Sequence, residues 1–121
     1  MRRIAWVMIG LLVAPGCGHV CNVLCPASGR LEVDAVNEQT GARICDATVT
    51  ATDGAYVEQL VPENCRYAQS ECCRQGSYSV RVEHPGFQPK VVSSVTIRVR
   101  RMDCCEIAEG ALVEIRLAPR P

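Results

Sequence analysis

The sequence predicts an all-β protein: a seven-stranded (six to eight) antiparallel Greek-key β-sandwich, stapled by disulfides, that follows an N-terminal signal segment. Three observations predict it. Apolar and polar residues alternate with a period of two in several short segments, as in strands that bury one face. Turn-forming residues separate these segments. Nine cysteines in 121 residues offer cross-links to a core that has few large apolar side chains.

The best-specified strand is 77–83. Tyr78, Val80 and Val82 alternate with serines and charged residues, so the three should face the core. We expect them beside other alternating apolar residues, namely Val33, Val49, Ile97 and Ile115, with Arg81, Glu83 and Arg98 in solvent. The following His84-Pro85-Gly86-Phe87 predicts a type II turn with Gly86 at positive φ.

The other predicted strands show the same alternation, in segments 31–36, 47–52, 95–100 and 112–117. Asp53-Gly54 predicts a hairpin that pairs 47–52 with Tyr56 to Val61. Residues 38–41 are turn-like. The segment from Pro62 to Gln75 predicts a long loop, and Cys104–Glu109 is the one place in the mature chain where a helical turn is possible.

The N-terminus has the layout of a secretory signal. Arg2 and Arg3 precede an eleven-residue apolar run, Ile4 to Ala14, and small or turn-forming residues lead to Cys17. The run is too short to cross a bilayer, which needs about 20 residues. We therefore divide the chain into a lipoprotein-type signal peptide (1–16), a lipidated cysteine with its tether (17–28) and a β-sandwich domain (29–118).

The charge of the mature chain argues against a nucleic-acid partner. Without residues 1–16 it has 11 basic and 13 acidic residues, a net charge of −2. Lys90 is its single lysine, and neither a basic stripe for nucleic acid nor a polybasic segment for anionic lipid is present.

The cysteines predict a disulfide framework in an exported protein. Nine is an odd number, so one cysteine must stay unpaired or be modified. Cys17 lies at the expected cleavage point, and its lipidation leaves an even set of eight disulfide candidates: Cys21, Cys25, Cys45, Cys65, Cys72, Cys73, Cys104 and Cys105.

Ala14-Pro15-Gly16-Cys17 resembles a bacterial lipobox, in which a small residue precedes the cysteine that receives the lipid. The resemblance implies a membrane anchor at Cys17, and Gly18 after it implies the outer membrane, on the periplasmic face or the cell surface. Ala14 and Gly16 also fit the small-x-small rule of ordinary signal cleavage. A secreted or periplasmic protein is thus the alternative.

The sandwich segment resembles carboxypeptidase regulatory-like domains, which are transthyretin-like Greek-key sandwiches. The resemblance covers about residues 30–118 and rests on Thr40-Gly41, Ile44-x-x-Ala47-x-Val49, Gly76-x-Tyr78-x-Val80-x-Val82 and Pro85-Gly86-Phe87. Cys65-Arg66-Tyr67 and Asp103-Cys104-Cys105 match a small bacterial lipoprotein variety of this fold. The family implies a non-catalytic role and no single ligand.

The resemblance implies a disulfide between Cys65 and Cys105. Neighbouring residues of a strand face opposite ways, so we expect Cys104 to bond instead to Cys72 or Cys73. The remaining one of that pair should bond to Cys45 or to a tether cysteine.

Catalysis and cofactors are not expected. Of the two histidines, His19 lies in the tether and His84 beside a turn, and no nucleophile–base pattern accompanies them. A thiolate metal site is conceivable at Cys21-x-x-x-Cys25, 72–73 or 104–105, but adjacent strand cysteines point apart and export favours oxidation.

Two surfaces are candidates for ligands. Tyr56, Tyr67 and Phe87 could form a sugar platform, although Phe87 is better suited to closing the end of the sandwich. Arginines 98, 100 and 101 could bind anions, although charges that protect an exposed edge strand explain them as well.

The predicted function is a non-catalytic, lipid-anchored protein of the cell envelope with a structural or interaction role, with the membrane and an envelope protein or glycan as expected partners. An accessory domain that binds glycan or peptide is the alternative, and a secreted metal-binding protein is a lesser one.

Overall fold

The computed structural model describes residues 29–71, 74–102 and 104–121. The predicted signal peptide, Cys17 and the tether lie outside the described residues. The described part confirms the all-β prediction: it contains nine strands and no helix. The strands are β1 (Leu31–Asn37), β2 (Thr48–Asp53), β3 (Tyr56–Gln59), β4 (Val61–Glu63), β5 (Arg66–Ala68), β6 (Gly76–Glu83), β7 (Lys90–Met102), β8 (Cys105–Glu109) and β9 (Ala111–Leu117).

The strands form two sheets that enclose one core. The first has the order β9-β1-β5-β4 and the second the order β3-β2-β6-β7-β8. The chain leaves the second sheet after β8 and returns in the first as β9, beside and parallel to β1. The other strand pairs are antiparallel, as predicted. This pair is parallel, because β9 reaches the edge of β1 by crossing from the other sheet and not through a hairpin.

The predicted core and its register are confirmed. Tyr78, Val80 and Val82 of β6 are fully buried. They share the core with Val33, Val49, Ile97 and Ile115. Arg81, Glu83 and Arg98 are exposed. Since a shift of one residue would exchange the two faces of a strand, the alternation in the sequence identified the buried face of each sheet.

The predicted turns are partly confirmed. Asp53 and Tyr56 close the hairpin between β2 and β3, and Gly54 has φ 61°. The prediction of a type II turn at Pro85-Gly86 is wrong, because Gly86 does not take positive φ. Its N–H donates to Nδ1 of His84 at 2.9 Å, and the N–H of Phe87 donates to the carbonyl of His84 at 3.0 Å. The histidine side chain thus stabilises a turn that needs no left-handed residue.

Two segments without a predicted strand form strands. The expected loop from Pro62 to Gln75 contains the β4–β5 hairpin, in which Asn64 and Cys65 have φ 52° and 66°. The possible helical turn at Cys104–Glu109 is strand β8, which pairs with the end of β7. The buried Cys105 and Ala108 lie three residues apart, which imitates a helical period, and pairing with β7 outweighs that local preference.

Two glycines allow the chain to enter the sandwich. The N–H of Gly29 donates to the carbonyl of Ala108 at 3.0 Å, and a Cβ on Gly29 would collide with the backbone of Gly110. Gly110 lies between β8 and β9. The chain therefore starts its fold at the β8–β9 turn, where two backbones touch without side chains between them.

Candidate functional site

The described cysteines bond differently from the prediction. Cys45 and Cys65 are joined to each other, with a Cα–Cα distance of 4.6 Å. The prediction of a Cys65–Cys105 bond is therefore wrong. The prediction that Cys45 could bond to Cys72 or Cys73 is wrong as well. The tip of the β4–β5 hairpin lies against the β1–β2 connection, whereas Cys105 belongs to the other sheet. Cys104 and Cys105 each take part in a disulfide as well. Cys21, Cys25, Cys72 and Cys73 lie outside the described residues.

The aromatic residues do not form a platform. Tyr67 is 1% exposed. Its hydroxyl donates to the carbonyl of Ile44 at 2.7 Å and accepts from the N–H of Ala47 at 2.9 Å, and burial raises its pKa. Tyr67 is thus a core residue that ties the first sheet to the β1–β2 connection. Phe87 is partly buried against the core, edge-on to the ring of His84.

The three arginines of β7 are exposed as predicted, and they lie on the part of the strand that extends beyond its pairing with β6. Strand β8 pairs with that part of β7. Nε of Arg100 lies 3.3 Å from Glu109, and Nη2 of Arg101 lies 2.9 Å from Glu106. Cross-strand ion pairs of this exposed kind contribute little stability. Two of the three arginines of the stripe are therefore already paired with carboxylates of β8.

His84 is held by both ring nitrogens. Nδ1 accepts from Gly86, so Nε2 carries the proton and donates to Oδ1 of Asp46 at 2.9 Å. A general base needs a free ring nitrogen beside the reacting proton. The two contacts indicate a structural role for His84 in the turn between β6 and β7.

The outer face of the first sheet carries a salt-bridge network around Asp34. Arg66 donates to both carboxylate oxygens, at 2.9 and 3.0 Å, and Arg43 donates to one at 2.7 Å. The hydrogen bond from Arg66 is the main cause of a lowered pKa of Asp34, which outweighs the effect of burial. The charged residues that line the adjacent cleft of about 320 Å³ are each in an ion pair.

A further cavity lies beside β3, the edge strand of the second sheet. Its volume is about 510 Å³. We call it the β3 groove, and it is lined by Tyr56, Val57, Glu58, Ser70, Glu71 and Arg74. It combines an exposed valine, two carboxylates and a stacked guanidinium, and we take it as the candidate functional site.

Glu58 is the hydrogen-bond centre of the groove. One carboxylate oxygen accepts from the hydroxyl of Tyr56 at 2.7 Å, and the other accepts from the N–H and hydroxyl of Ser70 at 3.0 and 3.3 Å. Burial acts to raise the pKa of Glu58, but these bonds together with one from Gln69 lower it. The same contact, with burial, raises the pKa of Tyr56 to about 12. Glu58 thus stays ionised and links β3 to the segment after β5.

The buried Gln69 carries this link into the first sheet. Its side-chain oxygen accepts from the backbone N–H of Leu31 at 3.0 Å, and its backbone N–H donates to the backbone carbonyl of Leu31 at 3.1 Å. Only 1% of Gln69 is exposed. The wall of the groove is therefore fixed to β1 as well as to β3.

Arg74 forms the other wall of the groove. Its guanidinium lies 3.7 Å from the ring centroid of Tyr56. It donates to Oδ2 of Asp53 at 3.0 Å and to the hydroxyl of Tyr78 at 3.2 Å. These bonds raise the pKa of Arg74, and the bond to the Tyr78 hydroxyl has the largest effect. The arginine covers the face of Tyr56, which explains why this tyrosine is no sugar platform.

Sequence reasoning missed most of this groove. Tyr56 and Glu58 share one face of a predicted strand, and that alternation is the one signal that could have paired them. Ser70, Glu71 and Arg74 belong to a segment predicted as loop, and only the tertiary structure places them beside β3.

No family model matches the chain, and no curated protein is significantly similar to it in sequence. Within 29–71, 74–102 and 104–121, no helix is long and apolar enough to cross a bilayer. Over the same residues, no three His, Cys, Asp or Glu side chains are grouped so as to hold a metal ion.

Proposed function

We propose that this protein is an exported, non-catalytic interaction module that is held at the cell envelope by a lipid on Cys17. The Cys45–Cys65 disulfide is the observation that carries the proposal. Disulfides form and persist in oxidising compartments such as the periplasm and the cell surface. This chemistry agrees with the signal-like N-terminus, which would bring the chain there.

The engagement of the polar side chains supports a binding role over a catalytic one. Both ring nitrogens of His84 are hydrogen-bonded, Asp34 is held by two arginines, and Glu58 accepts several hydrogen bonds. Groups held in this way fix a rigid surface. They would have to leave their partners before they could transfer a proton.

Between the two ligand classes, the structure favours peptide over glycan. Tyr67 and Tyr78 are buried, and Arg74 covers Tyr56, so sugar rings lack an open aromatic face. The β3 groove instead lies along a strand edge with an exposed valine. The assignment to carboxypeptidase regulatory-like domains stays a prediction. The two-sheet architecture is compatible with it.

Localisation of the Cys17→Ser variant in a Gram-negative host tests the anchor. We expect the wild-type chain in the membrane fraction, with an intact mass that includes a lipid on residue 17, and the variant in the soluble periplasmic fraction. The Cys21→Ser variant is the matched control and should stay with the membrane. A wild-type mature protein that is soluble and carries an unmodified Cys17 would overturn the anchored form of the proposal.

A further inference from the structure

We propose that β3 binds an extended, basic segment of a partner protein as an additional strand of the second sheet. The inference rests on the proposed interaction role and names the chemistry of the partner. It follows from the hydrogen-bonding pattern of β3, from the protection of the other sheet edges and from the charges of the β3 groove.

The backbone groups of Val57 and Gln59 point to the open side of β3. Asp53 and Tyr56 close a two-residue hairpin, and the N–H of Leu60 donates to the carbonyl of Val49. In an antiparallel pair, residues that bond to the neighbour alternate with residues that face away. Val57 and Gln59 are the ones that face away, and no described residue bonds to their backbone.

Each of the other three terminal strands is protected at one outward-facing position. On β4 the outward-facing position is taken by Pro62, which has no N–H to offer. Gly29 donates to the carbonyl of Ala108 on β8, and the amine of Lys90 donates to the carbonyl of Arg116 on β9. Edge strands usually carry such guards because an open edge templates pairing with another chain.

β3 carries no guard of this kind. Val57 is 63% exposed, and it lies opposite Thr52 on the outer face of the sheet. An added strand would continue the row of side chains from Thr52 and Val57 with one of its own. A β-branched apolar residue fits such a pleated surface best.

The charges in the groove select a basic partner. Glu58 and Glu71 are both acidic, whereas Arg74 is already paired with Asp53. Glu71 is exposed and has no ion-pair partner among the described residues. Side chains of an added strand alternate between the two faces of the sheet. A residue opposite Glu58 would therefore point into the groove, where a lysine would meet Glu71 and Glu58, and its neighbours would lie opposite Val57 and Gln59.

Titration of the oxidised full chain with a capped seven-residue peptide of alternating valine and lysine tests the proposal. NMR spectra should show saturable shifts and slowed hydrogen exchange at the amides of Val57 and Gln59. Val57→Pro should weaken binding about tenfold, because a backbone donor is lost and the ring blocks the approaching strand. It leaves the bonds to β2 intact. Val57→Thr keeps the N–H and a β-branched side chain, so it should weaken binding much less than Val57→Pro. Gln59→Pro replaces Val57→Pro if that variant misfolds.

A peptide of alternating valine and glutamate probes the charge. It should bind about tenfold more weakly than the lysine peptide, and Glu71→Gln should reduce this preference. Equal affinity of the wild type and Val57→Pro for the lysine peptide would overturn the proposal. So would protection of Val57 and Gln59 in the peptide-free protein at high concentration, which would assign the edge to a second copy of the chain. These measurements on purified protein do not depend on Cys17, so they fail separately from the localisation test.

Discussion

The two tight hairpins of this fold solve the same geometric problem in different ways. The β2–β3 hairpin turns through Gly54 and Ala55, and only Gly54 has positive φ. The β4–β5 hairpin turns through Asn64 and Cys65, and both have positive φ although neither is glycine. Asparagine tolerates this region, but a cysteine there carries strain. The first hairpin is specified by its own residues, whereas the second contains a residue that does not suit its conformation.

The Cys45–Cys65 disulfide explains how the second hairpin persists. It joins the hairpin tip to the β1–β2 connection, and the stabilisation from a loop of this length exceeds the cost of one left-handed residue. A long-range covalent bond thus replaces the local turn chemistry that glycine provides in the first hairpin.

Loss of the disulfide should have the largest effect. The Cys45→Ser/Cys65→Ser variant should lose about 3 kcal/mol of unfolding free energy, because the bond no longer restricts the unfolded chain. Urea titration followed by circular dichroism measures the loss. If the variant unfolds at the same urea concentration as the wild type, the β4–β5 hairpin is locally stable and the comparison fails.

Replacement of Gly54 tests the first hairpin. Gly54→Val should cost about 1–2 kcal/mol, since a β-branched residue is strained at φ 61°. Gly86→Ala is the matched control. Gly86 does not take positive φ, and an added Cβ would meet only ordinary contacts with His84, so the change should stay within about 0.5 kcal/mol. Thermal unfolding of the two variants side by side compares them, and equal costs would contradict the role given to Gly54.

Glycine should partly replace the disulfide in the second hairpin. In a Cys45→Ser background, Cys65→Gly should be about 1 kcal/mol more stable than Cys65→Ser, because glycine relieves the positive φ of residue 65. Urea midpoints of the two double variants give the difference. A serine variant that is as stable as the glycine variant would show that residue 65 leaves the left-handed region once the bond is gone.

The smallest expected effect concerns Asp34, which supports β5 through Arg66. Its lowered pKa means that the ionised form stabilises the fold above the unfolded pKa of about 3.9, and that this contribution is lost as pH falls through the folded pKa. Asp34→Asn should cost about 1 kcal/mol or less at pH 7, and this cost should shrink as the pH falls below the unfolded pKa. Glu114→Gln, which removes an exposed carboxylate, should be nearly silent at both. A pH-independent cost for Asp34→Asn would contradict the linkage.

The sequence predicted those parts of the fold that local chemistry determines. The alternation around Tyr78 and Val80 identified the core face, and Asp53-Gly54 identified the first hairpin. The second hairpin was not predictable, because β4 and β5 are three residues each and Pro62 argued against a strand.

Distant parts of the chain determine the features that the sequence did not reveal. The partner of Cys65 depends on which loops meet at one end of the sandwich, and sequence spacing does not report that. The β3 groove likewise needs Ser70 and Arg74 to be carried to Tyr56 from a different segment. The parallel pairing of β9 with β1 follows from the path between the sheets, which alternation leaves undetermined.

The contact between Gly29 and Gly110 fixes the point at which a membrane tether would join the domain. Gly29 enters at the β8–β9 turn, whereas β1 runs away from it towards the end that carries Cys45 and Cys65. In a chain anchored at Cys17, eleven residues (18–28) lie between the lipidated residue and Gly29, and this stretch spans at most about 40 Å. The glycine crossing would then be the point of attachment, and the Cys45–Cys65 disulfide would lie towards the opposite end of β1. A tether of this length would leave the open edge of β3 within reach of proteins that share the same leaflet.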